Sequence, residues 1–169
     1  MTSYHCRVCG QRHDELPLHY GAAAPDLYFT IPEPERARRC ELTSDTCVID
    51  GEHRFVLGNL EIPIVGEGER FSWDVWVSLS EQSMSRAQEV WHTPGRESEP
   101  PCFGWLSTRL PGYPETLDLK TMVHTRAVGV RPLVELEPTD HPLAREQREG
   151  IRWERVQEIA ENVLHELDG

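Results

Sequence analysis

A chain of 169 residues, 38% hydrophobic and 27% charged, is long enough to bury a core and too apolar to be a disordered segment. Its 29 acidic against 17 basic side chains leave a net charge of −12, which argues against a nucleic-acid surface of clustered Lys and Arg and disfavours anionic lipid. The start Met1-Thr2-Ser3-Tyr4-His5 has no basic-then-apolar leader, no apolar run reaches membrane length, and five cysteines in such a chain point to a reducing cytoplasm.

The first fifty residues read as loop-rich, with prolines at 17, 25, 32 and 34. Within them Glu33 to Arg39 predicts a short helix, and Glu41-Leu42-Thr43 and Thr46-Cys47-Val48-Ile49 predict short strands. Asp50-Gly51 is a hairpin turn signal leading into His53 to Leu57. Leu60, Ile62 and Ile64 then alternate with Glu61 and Pro63, an edge or bulged strand because Pro63 cannot donate to a ladder. Phe71 to Leu79 is the cleanest strand. Phe71, Trp73, Val75, Val77 and Leu79 share one face, and Ser72, Asp74, Trp76 and Ser78 the other, which predicts a half-buried antiparallel strand.

Ser80 is placed to cap a helix carrying Met84, Ala87, Val90 and Trp91. After the polar loop from Thr93 to Pro101, strands are predicted over Cys102 to Leu110, Leu117 to His124 and Val130 to Glu137. Asp140 or His141 caps a helix opening at Pro142 and closed by Gly150. A last helix from Arg152 to Leu167 aligns Val156, Ile159, Ala160, Val163 and Leu167. Strands in the middle and helices at the end give an α+β fold: a curved, mainly antiparallel sheet with helices on one face and an N-terminal zinc-knuckle-like segment. The expected organisation is a single domain over 1–169, with a loop-rich knuckle segment (1–50), a sheet with one helix (51–137) and C-terminal helices (138–169).

Chemistry concentrates at Cys6-Arg7-Val8-Cys9-Gly10, followed by His13. Two thiolates two residues apart can face one ion from a tight turn, and Gly10 can adopt the positive φ such a turn needs. A thioredoxin-like redox pair would sit at a helix N-terminus after a buried strand, and only five residues precede Cys6. No HExxH, GxSxG, P-loop or dinucleotide fingerprint is present, so no catalytic or cofactor-binding residue is assigned. Trp76 is either a second packed layer beneath a helix or an exposed anchor bordered by Trp105 and Tyr113.

Six segments resemble the uncharacterised bacterial family called domain of unknown function 2199. They are Cys6-x-x-Cys9-Gly10-x-x-His13, Leu42 to Asp50, Leu57 to Ile64, Trp73 to Leu79, Phe103 to Leu106 and Asp140 to Gln147. The resemblance implies a single bacterial domain and carries no activity. Cys40 and Cys102 fall outside the family pattern, which lowers their claim as ligands.

A structural zinc (Zn2+) needs two ligands besides Cys6 and Cys9. Cys47, within a matching segment, is the first choice, then His13, then His141; His53 and Cys40 are the other contenders. The expected function is a non-enzymatic, zinc-binding cytoplasmic protein whose acidic surface receives a basic protein partner. Small acidic domains that neutralise basic toxins, as immunity proteins and antitoxins do, offer an analogy of charge and size. The alternative is a metal-dependent enzyme such as a hydrolase, with one zinc position open to water.

Overall fold

The structure is a computed structural model and describes residues 3–14 and 16–166. A hairpin of β1 (Tyr4–His5) and β2 (Arg12–His13) opens the chain. There follow β3 (His19–Gly21), α1 (Asp26–Thr30), α2 (Glu33–Arg39), β4 (Cys40–Leu42) and β5 (Thr46–Ile49). The long strands β6 (His53–Pro63) and β7 (Arg70–Leu79) lead to α3 (Glu81–Glu89). Then come β8 (Cys102–Leu106), β9 (Lys120–His124), β10 (Leu133–Leu136), α4 (Pro142–Glu149) and α5 (Trp153–Glu166).

The class is α+β as expected, but the sheet does not stay open. β6 pairs antiparallel with β7 from Arg54↔Leu79 to Pro63↔Arg70. The antiparallel ladder continues through β8, β9 and β10. β10 then returns to β6 in parallel at Leu133↔Asn59, which closes a five-strand barrel where the sequence predicted a curved sheet. β3 adds in parallel to the start of β7, and β5 and β4 extend outward from the start of β6.

Two glycines let the strands approach. A Cβ on Gly58 would lie 2.6 Å from Val134 Cγ2 and 3.0 Å from the Pro132 carbonyl oxygen, so the closing seam has no room for a side chain. A Cβ on Gly104 would lie 2.8 Å from the Ser78 carbonyl oxygen.

The alternation of β7 is as read: Phe71, Trp73, Val75, Val77 and Leu79 all enter the main core. They meet Leu60, Ile62, Leu106 and Val134 there, together with Leu143 of α4 and Val156 and Ile159 of α5. The opposite face is not solvated, however. Trp76 fills a second core with Ile31, Cys47, Ile49, Phe55 and Leu57. Its Nε1 donates to the Ala22 carbonyl at 2.9 Å, so the segment before α1 covers the face that polar Ser72 and Ser78 suggested was open.

Helix caps follow the sequence closely. Ser80 Oγ accepts from the Ser83 amide at 3.1 Å, though α3 ends before Val90 and Trp91. His141 Nδ1 accepts from the Leu143 amide at 3.1 Å, with Pro142 at the first helical position. Leu167, assigned to the apolar side of the last helix, lies outside the described residues. No helix among the described residues is long and apolar enough to cross a membrane.

Candidate metal centre

The knuckle forms because β1 and β2 pair through Tyr4↔His13 and force residues 6–11 into a tight loop. The Cys6 amide donates to the Gln11 carbonyl and the Gly10 amide to the Cys6 carbonyl, both at 2.9 Å. Gly10 has φ +72, the left-handed conformation that glycine enters without a Cβ penalty. The sharp reversal needed to bring His13 back to Cys9 is therefore supplied by backbone hydrogen bonds and one glycine.

Cys6, Cys9 and His13 converge, with their ligand atoms all within 4.8 Å of one another. Cys9 Sγ lies 3.4 Å from His13 Nε2, and the Cys9 amide approaches Cys6 Sγ at 3.5 Å. A tetrahedral zinc with ordinary Zn–S and Zn–N bonds separates sulfur from nitrogen by roughly 3.5 Å. The spacing therefore suits one ion held between them. Cys6 is buried, Cys9 exposed and His13 half-buried, so the cluster reaches from the core to the surface. The His13 ring rests against Tyr4, with ring centroids 5.3 Å apart.

The electrostatics favour an anionic sulfur at Cys6. Burial pushes its thiol up, but hydrogen bonds from the Cys9 backbone, the His165 ring and the Val8 backbone bring it down to about 6. Thiolate is the form that ligates metal. His165, which carries no assignment from the sequence, brings Nε2 to 3.1 Å from Cys6 Sγ. No sequence signal could have flagged it, since it stands 159 positions from Cys6.

The other sequence candidates lie elsewhere. Among the described residues, Cys47 does not join the cluster: it is fully buried in the second core, and burial pushes its thiol up to about 11. Cys40 packs against that same core. His141 is occupied as the cap of α4, its Nε2 at 3.1 Å from the Glu115 carbonyl oxygen. His53 opens β6, opposite Ile49 of β5. The reason is parity: on β5 the side chains of Cys47 and Ile49 point into the core while Thr46 and Val48 are half-buried.

A polar feature not anticipated sits on β7. Asp74, assigned to a solvated face, is buried and accepts hydrogen bonds from Asn59 and from Arg131, the latter at 3.1 Å. His19 Nε2 lies 2.6 Å from the same carboxylate. Arg131 also reaches Asp45 at 3.2 Å, so the buried charge is met by fixed donors, as a buried carboxylate requires.

Residues 5–151 match the family described as "Uncharacterized protein conserved in bacteria (DUF2199)". No curated protein and no solved structure matches the chain.

Proposed function

The chain belongs to the uncharacterised bacterial family DUF2199, and from that premise we propose that it is a non-enzymatic protein with a structural zinc and an acidic surface for a basic protein partner. The observation that carries the reading is the convergence of Cys6, Cys9 and His13 within 4.8 Å. Sulfur-rich ligation with imidazole is the donor set of structural zinc, and such sites supply folding energy to segments with little core of their own. The loop from Cys6 to Gln11 is such a segment. The five cysteines are all unpaired, in keeping with a reducing cytoplasm as the working compartment.

The partner half of the reading rests on charge and on one aromatic pair. The net charge is −12, which steers a basic partner toward the surface. Phe103 and Trp105 stand outward on β8, 43% and 42% exposed, with ring centroids 4.9 Å apart. Trp105 thus takes the anchor role that the sequence offered to Trp76, which is buried. Rigid exposed aromatics of this kind are the side chains that dominate interface energetics.

Metal analysis of protein purified without a histidine tag tests the zinc. Near-stoichiometric zinc in the wild type, lost in Cys6→Ser and Cys9→Ser, supports the reading. A folded, zinc-free protein that takes up none overturns it.

A further inference from the structure

We propose that His165 is the fourth ligand of the centre, so that zinc closes a Cys2His2 site and fastens the end of α5 to the N-terminal knuckle. The proposal rests on the reading of Cys6, Cys9 and His13 as ligands. Its first ground is contact: His165 Nε2 lies 3.1 Å from Cys6 Sγ. Nε2 is also the nitrogen that His13 presents to Cys9. Each pair lies within hydrogen-bonding distance, and an ion entering between them displaces the protons these hydrogen bonds hold to solvent.

The second ground is the helix that carries the ring. Gln157, Glu161 and His165 follow one another at intervals of four, so they form one stripe along α5. Each meets the knuckle. Gln157 Nε2 donates to the His5 carbonyl at 2.9 Å, and Arg7 Nε donates to Glu161 at 3.1 Å. Glu161 is itself buried, and hydrogen bonds from Gln157 and Arg7 outweigh that burial to hold its carboxyl below the usual range. His165 is therefore delivered to Cys6 by a docked helix face rather than by one free side chain.

Charge is compatible with this set: two thiolates already balance Zn2+, and a neutral His165 imidazole adds a fourth donor without adding charge. The ligand atoms that lie within 4.8 Å of one another are those of Cys6, Cys9 and His13, so taking the fourth position asks the His165 ring to move from Cys6 toward Cys9 and His13. His165 lies beyond residues 5–151, the stretch matched by the family. The inference therefore ties a C-terminal segment outside that match to the CxxC knuckle inside it.

Cobalt(II) substitution tests this, because its visible spectrum reports coordination number and sulfur ligation. The wild type is expected to give a tetrahedral spectrum that added imidazole does not change. His165→Ala should bind cobalt on the order of 100-fold more weakly, at least what losing an outer-shell partner costs, with bands that shift when imidazole fills the vacated position. His165→Cys should restore a four-coordinate spectrum with added sulfur character, and His165→Gln, which keeps the helix and a hydrogen-bonding group, should behave as His165→Ala does. Wild-type and His165→Ala proteins with the same affinity and spectrum would overturn the His165 assignment and leave the three-ligand centre standing. A wild type that binds neither cobalt nor zinc would overturn the centre itself.

Discussion

Gly58→Ala tests the closure of the barrel, and its sign decides the matter. Replacing a strand glycine by alanine where space allows stabilises a protein by about 0.4–1 kcal/mol, by restricting the unfolded chain. At Gly58 the added methyl would meet Val134 Cγ2 at 2.6 Å and the Pro132 carbonyl oxygen at 3.0 Å. The Asn59 amide donates to that same carbonyl at 2.9 Å, so the oxygen cannot retreat without straining the seam. Overpacking of this kind costs about 1–3 kcal/mol. At 2–4 °C per kcal/mol for a chain of this size, a loss near 2 kcal/mol lowers Tm by roughly 4–8 °C. Val134→Ala alone removes two buried methyl groups and costs about 2 kcal/mol. Combined with Gly58→Ala it relieves the closer clash, so the double variant should be less destabilised than the sum by about 1 kcal/mol. Urea and thermal unfolding of the four proteins give the cycle. A neutral or stabilising Gly58→Ala, with additive behaviour in the double variant, would refute the closed seam.

Cys47→Ala should leave the metal content unchanged while destabilising the second core, which metal analysis and urea unfolding read in parallel. The folded protein holds the Cys47 thiol near 11, raised by burial above its ordinary value of about 9. Its neutral-state contribution is therefore complete below pH 9 and fades as pH rises toward 11, a loss that thermal melts should show in the wild type and not in Cys47→Ala. Trp76→Phe removes the hydrogen bond to the Ala22 carbonyl. It should cost about 1 kcal/mol through the part-buried carbonyl left unpaired, seen as a lower urea midpoint at unchanged slope. Trp105→Ala should cost about 1 kcal/mol of stability, through loss of its edge contact with Phe103, and leave the fold intact. Any salt-sensitive association with a basic partner should weaken in that variant, as titration against the partner would show.

Local signals survived the passage from sequence to structure, and long-range ones did not. The helix over Glu33–Arg39, the alternation of β7, the Ser80 cap and the Pro142 start each depend on neighbours a few residues away. Cys6, Cys9 and His13 were legible for the same reason, since one hairpin brings them together. Cys47 is the sequence's first choice for a further ligand, ahead of His13, because strand alternation does not say which face meets a core and which meets a metal. His165 was invisible, as its place depends on how α5 docks. Barrel closure turns on the parallel pairing of Leu133 with Asn59, which no local pattern announces. The only trace in the sequence is a pair of mid-strand glycines, Gly58 and Gly104, of the kind that marks close backbone approach.

X-ray absorption at the zinc edge, on untagged protein, tests the central claim most directly. The account predicts about one zinc per chain with a first shell of two sulfurs and two nitrogens at ordinary tetrahedral distances. A protein without zinc, or a shell containing only oxygen and nitrogen, would contradict it.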